Sequence, residues 1–384
     1  MKKLLIITDT YLPRYDGVGR FLSETLKKIH NFDIEIIAPD YRFGTNFKYE
    51  QKVTLFKPMN LSISDYHPVI PNLKILKKKI KEADLVFSHT LGLIGIFGSY
   101  YAKKHNKVLI SFVHSVDWEL ISKALNTNNF IQKIVLKIII FIAKWIYNKC
   151  NLILVPSKET ENILVKQNIN TPKRILHLGT NTNEFIPNKN IKKQKIKMKY
   201  DKNDFIIGYC GRISYEKDLL TLFEAYKDIK DSYPDHSIKL LIVGGGDKQL
   251  IEKIKQKDIF ITGFVNNVID YYQIMDIFVL PSLTETSSIS TMEAMSCEIP
   301  VITTRVGFLN TYIKDGENGL HFKTKDKFEL IEKLRLLIED EKYRKKLSKN
   351  GRKTIVESYS WKETTSKLNR ILNTIIQNIH EKAK

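Results

Sequence analysis

Residues 278–302 read FVLPSLTETSSISTMEAMSCEIPVI and run strand, serine-rich turn, helix. The apolar run Ile277–Leu280 suits a buried strand of a parallel sheet, and Pro281 and Ser282 end it. Ser287 and Ser288 bring hydroxyls and backbone N–H groups to a helix start, and Ile289, Met292, Ala294 and Met295 give that helix its apolar positions. A helix N-terminus at the carboxyl end of a parallel strand is an anion site. Glu285 stands in the turn before it and Glu293 about one and a half turns inside. A diphosphate resting on the N–H groups, with carboxylates taking neighbouring hydroxyls, describes a nucleotide sugar. Two glutamates at this spacing are also compatible with a solvated helix face, so spacing alone does not decide.

Working outward, short apolar runs alternate with helical patterns. Leu4–Ile7, Ile34–Ile37, Leu85–Phe87, Val108–Val113 and Leu152–Val155 read as strands of the first half. Phe205–Gly208, Leu240–Val243, Phe260–Thr262, Ile277–Leu280 and Val301–Thr303 repeat the rhythm in the second. Alternating strands and helices predict an α/β fold of two Rossmann-like, doubly wound domains facing a cleft. A lysine-rich break, IKKQKIKMKY (191–200), reads as a hinge or an exposed linker. The expected division is 1–190, 191–360 and a last helix over 361–384.

The 384 residues are too many for one compact core. Three separated cysteines, Cys150, Cys210 and Cys297, give no disulfide framework or metal-ligand pair, and imply a reducing cytoplasm. The apolar start Leu4–Ile7 is too short for a secretory signal. The net charge is +20, and residues 1–190 hold 28 Lys+Arg against 15 Asp+Glu, the remainder 34 against 27. The excess therefore sits in the first half. An anionic membrane surface and nucleic acid are the partner classes that charge admits.

Further segments offer ligand chemistry. In GYCGRISYEKDLLTLFEAY (208–226), Arg212 and Lys217 lie in a loop between strand and helix. An arginine fork and a lysine ammonium suit phosphate oxygens and a departing diphosphate; a solvated basic loop is the plainer alternative. LLIVGGGDKQ (240–249) is a strand and glycine turn without the full dinucleotide fingerprint. TDTYLPRYDGVGRFLSETL (8–26) places Gly17 and Gly19 where a backbone can approach a ligand. His114 and His89 follow two strands at the carboxyl end of the sheet. No catalytic triad or metal cluster of recognisable spacing appears.

The 285–301 stretch resembles the E-x7-E signature of family 4 retaining glycosyltransferases of the GT-B fold. Glu285, Glu293, Ala294, Met295, Cys297, Pro300 and Val301 match, while Ser288 and Glu298 replace usual glycines. The pattern G-R-x-x-x-E-K-G is met by Gly211, Arg212, Glu216 and Lys217, with Asp218 for the final glycine. The resemblance implies a retaining transfer from a nucleoside diphosphate sugar, serving as co-substrate, to an acceptor hydroxyl of a glycan, membrane lipid or lipid-linked glycan, without metal or other cofactor. It assigns Arg212 and Lys217 to the diphosphate, the Ser287–Ser288–Ile289 backbone to phosphate or sugar, Glu285 to sugar hydroxyls and Glu293 to the ribose. It also assigns Val265 to the base, Gly17 to the diphosphate or acceptor, and His114 to the donor sugar; Asp117 is placed to orient that histidine or to contact an acceptor. The last helix is expected to cross back onto the N-terminal domain. A GT-B nucleotide-sugar epimerase, a GT-B phosphorylase and a non-catalytic basic membrane- or nucleic-acid-binding protein are the alternatives; with the resemblance, no nucleic acid is expected.

Residues 130–150, FIQKIVLKIIIFIAKWIYNKC, are the most apolar of the chain. Lys133, Lys137 and Lys144 fall within about 40° on a helix. A core helix with one wet edge and a helix lying at a membrane interface are both compatible, and KILKKKIKEAD (74–84) adds a second basic cluster. The expected location is cytoplasmic, with peripheral attachment to the membrane face as the further option.

Overall fold

The computed structural model describes residues 1–383 apart from 15, 44, 61–66, 115, 117, 119–128, 286 and 287. Side chains of residues 129–132 and 378–383 are likewise outside the described set. Ser287 and Asp117 therefore lie outside the described residues. The chain forms two compact units, Met1–His177 with Thr364–Lys384, and Leu178–Glu363.

The first unit carries β1 (Lys2–Ile7), β2 (Phe32–Pro39), β3 (Lys52–Phe56), β4 (Leu85–Ser88), β5 (Val108–Phe112), β6 (Leu152–Val155) and β7 (Lys173–Ile175). Its helices are α1 (Gly17–Leu26), α2 (Leu73–Glu82), α3 (Leu93–Lys104), α4 (Asn129–Tyr147) and α5 (Lys158–Lys166). All seven strands are parallel, in the order β3-β2-β1-β4-β5-β6-β7. The order reverses between β1 and β4, the switch point where ligands bind in such sheets.

The second unit repeats the plan. Its strands are β8 (Phe205–Cys210), β9 (Ile238–Val243), β10 (Ile259–Ile261), β11 (Ile277–Leu280), β12 (Val301–Thr304) and β13 (Leu320–Phe322). The helices are α6 (Ile191–Lys197), α7 (Leu219–Ser232), α8 (Lys248–Ile254), α9 (Ile269–Tyr272), α10 (Ile289–Ser296), α11 (Leu309–Tyr312), α12 (Lys327–Glu339), α13 (Glu341–Ser358) and the start of α14 (Trp361–Ala383). The sheet is again parallel, β10-β9-β8-β11-β12-β13, with its switch point between β8 and β11. The two parallel sheets expected from the sequence are thus present. Central strands such as β11 and β12 are fully buried, which is why they read as continuous aliphatic runs. Each such side chain contributes about 1.5–3 kcal/mol by leaving water.

One reading changes. The lysine-rich stretch at 191–200 is no open linker, because Ile191–Lys197 is helix α6. Lys195 is buried there and donates to Asp276 Oδ2 and the Asp204 carbonyl, each at 2.6 Å. From Thr364 onward, α14 packs in the first unit. Leu368, Ile371 and Leu372 are buried at helical spacing, and Asn369 Nδ2 donates to the Lys28 carbonyl at 2.8 Å.

Candidate functional site

In the second unit the site forms where the loops after β8 and β11 meet. The Leu283 N–H donates to the Glu216 carbonyl at 2.8 Å, joining the two loop backbones. Lys217 Nζ then donates to Glu285 Oε1 at 2.5 Å, and Ser282 Oγ to the same oxygen at 2.8 Å. Oε2 of Glu285 carries no bond among the described residues. Ser214 Oγ holds Glu216 Oε1 at 2.6 Å, and Thr304 Oγ1 from β12 donates to the Ser282 carbonyl at 2.6 Å. Arg212 is exposed in the same loop, its carbonyl fixed by the Tyr209 hydroxyl at 2.7 Å. Burial pushes the Tyr209 phenol well up; Glu285 and Glu216 push the same way and Arg212 opposes them. One buried ring therefore senses charges from both loops. Burial, with Glu285 again adding, also raises Tyr312.

Helix α10 starts at this junction. Ser288, its N-cap, is left-handed (φ 46°), and its hydroxyl turns to Thr291 Oγ1 at 2.7 Å instead of capping an amide. The Ser288 side chain therefore caps none of the first-turn amides, the groups that give a helix start its partial positive charge. Glu293 is buried, 2% exposed, with Oε2 accepting from the Tyr272 hydroxyl at 2.9 Å. The two glutamates therefore differ: Glu285 lies against a cation at a loop, and Glu293 is held inside by a tyrosine.

Neighbouring loops are fitted closely to this junction. A Cβ on Gly244 would lie 2.0 Å from the Gly211 carbonyl oxygen, so that glycine lets the turn after β9 pack on the Arg212 loop. A Cβ on Gly307 would lie 1.6 Å from the Glu285 carbonyl oxygen. Val265 is half-buried against the second core, beyond Gly263.

In the first unit, α1 begins at Gly17 behind Asp16, whose Oδ1 accepts from the Gly19 N–H at 2.9 Å. A Cβ on Gly17 would meet nothing within 4 Å. His114 Nε2 and His89 Nδ1 lie 2.9 Å apart, His89 buried and His114 half-buried, so the structure brings these two sequence candidates together. Burial pulls the His114 pKa down to about 3 and, with His114 adding, holds His89 well below its usual value. Both rings are neutral at neutral pH, and one N–H lies between them.

Sequence reasoning missed Asp9. Its buried carboxylate accepts from Thr90 Oγ1 at 2.7 Å and from the Ile94 and Gly95 amides at 2.8 and 3.0 Å, at the start of α3. Burial raises its pKa while those bonds oppose the rise. Ser282, Glu216, Tyr272 and Gly307 were missed too. Asp9, Ser282 and Glu216 stood in quoted stretches without a role, and Tyr272 and Gly307 are recognised only by their contacts with Glu293 and Glu285. Among the described residues no cluster of three His, Cys, Asp or Glu could hold a metal ion.

Two Rossmann-like units, one with a cationic loop and a helix start at its switch point, define a GT-B glycosyltransferase. Residues 15–184 match Glycosyltransferase Family 4 and residues 190–354 match Glycosyl transferases group 1, and the chain belongs to this family. It is 26% identical to the capsular polysaccharide biosynthesis glycosyltransferase CapM of Staphylococcus aureus, over 96% of each chain. It is 26% identical to the alpha-monoglucosyldiacylglycerol synthase of Acholeplasma laidlawii, over 90% of each. In fold it matches sucrose-phosphate synthase of Thermosynechococcus elongatus at a TM-score of 0.79, 16% identity, covering 98% of this chain and 100% of that one. Anabaena Alr3699/HepE in complex with UDP gives 0.77 at 15% identity, covering 97% and 100%. The protein is therefore a glycosyltransferase acting on a sugar donor.

Proposed function

We propose that the protein transfers a sugar, with retention of configuration, from a nucleoside diphosphate sugar to an acceptor hydroxyl on a lipid or lipid-linked glycan. The observation that carries this is the Lys217–Glu285 pair, which joins the cationic loop to the loop opening α10. The sugar C1–O bond to the diphosphate breaks and its electron pair goes to the phosphate oxygen. Arg212, Lys217 and the amides of Ser288 and Ile289 meet that charge with fixed positive partners, which costs little reorganisation during reaction. The acceptor oxygen bonds to C1 from the same face, and its proton passes to the leaving phosphate. Glu285 Oε2 takes a sugar hydroxyl. Glu293 is assigned to the ribose, Val265 to the base, Gly17 to the diphosphate and His114 to the donor sugar.

The lipid acceptor is favoured by the relative from Acholeplasma laidlawii, whose name says that it makes a monoglucosyldiacylglycerol. The test screens UDP-, GDP- and ADP-sugars by thermal shift, then assigns the anomeric configuration of the product by NMR. A stabilising donor and a product of unchanged configuration are expected. Inversion, or release of an altered sugar nucleotide without any acceptor, contradicts the proposal.

A further inference from the structure

Helix α4 leaves four large apolar side chains in solvent. Ile134 is 44% exposed, Ile138 53%, Phe141 69% and Trp145 39%. At 100° per residue they share an arc of about 60°, while Ala143, Ile146 and Tyr147 face the buried core of the first unit. Lys133, Lys137 and Lys144 run along one margin of that arc. Beyond the helix end Lys149 Nζ stands 4.9 Å over the Trp145 ring. The patch continues onto α3, where half-exposed Tyr100 stacks on Trp145 at 6.1 Å and Lys104 Nζ lies 5.8 Å from the Tyr100 ring. After desolvation, the charges of Lys81, Lys77, Lys104 and Lys107 depress the His105 pKa, so the basic surface reaches α2. Among the described residues no acid pairs with Lys104, Lys133, Lys137, Lys144 or Lys149. No helix among them is long and apolar enough to cross a membrane.

The wet edge of α4 is thus largely apolar with basic margins. A second copy seated antiparallel on this face by two-fold symmetry would oppose the lysine margins to each other. An anionic bilayer complements both sectors, with phosphates for the ammonium groups and the acyl boundary for the apolar arc. We propose that this face of α4, with Tyr100, Lys104 and Lys149, docks the protein on an anionic lipid surface. Ile138 and Phe141 enter the headgroup boundary and Trp145 sits at its level. Lys79 takes no part, since it is paired with Glu35 at 2.7 Å. The inference goes beyond the transfer reaction, and its test contains neither donor nor acceptor, so either can fail alone.

Trp118 and Trp361 are buried, so Trp145 reports the contact. The protein is titrated with phosphatidylglycerol vesicles and with phosphatidylcholine vesicles, following tryptophan emission and co-sedimentation. A blue shift and pelleting with the anionic vesicles only are expected. Ile138→Ser/Phe141→Ser and Lys133→Glu/Lys137→Glu are each expected to weaken partitioning ~10-fold or more. Lys342→Glu/Lys346→Glu, on the exposed basic α13, leaves it unchanged. Trp145→Phe abolishes the shift and keeps pelleting. No pelleting at low salt overturns the proposal. So does equal loss in the α13 variant, or a wild-type dimer in sedimentation velocity that Phe141→Ser dissociates.

Discussion

Three residues at which the family pattern carries glycine have left-handed backbone here: Asp218 (φ 47°), Ser288 (φ 46°) and Glu298 (φ 61°). The glycines of the pattern are therefore backbone requirements that this chain meets with side chains, at about 1 kcal/mol each. Glu298→Gly is expected to raise stability by about 1 kcal/mol in urea unfolding. Asp218→Gly gains less, because Asp218 Oδ2 accepts from Thr221 Oγ1 at 2.7 Å. Equal gains would show that the Asp218 hydrogen bond contributes nothing. The paired histidines set a pH dependence. His114 binds protons more weakly folded, with its pKa down at about 3, than unfolded, where the usual value is 6.5. Its contribution is complete above the unfolded pKa and is lost as pH falls toward the folded one. At pH 5 that loss is about 2 kcal/mol. Wild type should lose more stability between pH 7 and pH 5 than His114→Gln, as denaturant midpoints would record; equal losses would contradict the burial of a neutral ring.

At the scale of elements, Gly17 and Gly244 separate two uses of glycine. Gly244 is demanded by the Gly211 carbonyl beside it, whereas nothing in the protein crowds a side chain on Gly17. Gly17→Ala at the start of α1 should keep or slightly raise the melting temperature and lower donor turnover. A variant with full turnover would remove Gly17 from the proposed site. The strand-turn-helix units were legible because central parallel strands must be apolar on both faces, as in Ile277–Leu280 and Leu152–Val155. Strands β3, β7 and β13 were not. β3 and β7 are edge strands with charged or half-exposed residues, and β13 is only three residues long. The lysines of α6 read as a linker because what buries Lys195 is Asp276, 81 residues away. Asp9 escaped for the same reason, its partners lying 81 to 86 residues along the chain. Arg212, Lys217 and Glu285 were legible as motifs, but the joining of Lys217 to Glu285 beside Ser282 and Glu216 is a property of the fold.

Across the whole molecule, the chain divides at His177–Leu178 and returns at Glu363–Thr364, so each unit has its own parallel sheet and switch point. The charge follows this division of labour. The diphosphate loops belong to the second unit, while most of the excess positive charge sits in the first, where α4 exposes its apolar arc. Substitutions at the α4 face and at the diphosphate loops should therefore be independent in binding. The diphosphate loops carry the central claim. Isothermal titration of UDP, GDP and ADP identifies the preferred nucleotide, which is then titrated into Arg212→Ala and Lys217→Ala beside the parent nucleoside. Each variant is expected to bind the diphosphate ~10-fold or more weakly and the nucleoside unchanged. Undiminished diphosphate affinity in both variants would contradict the account.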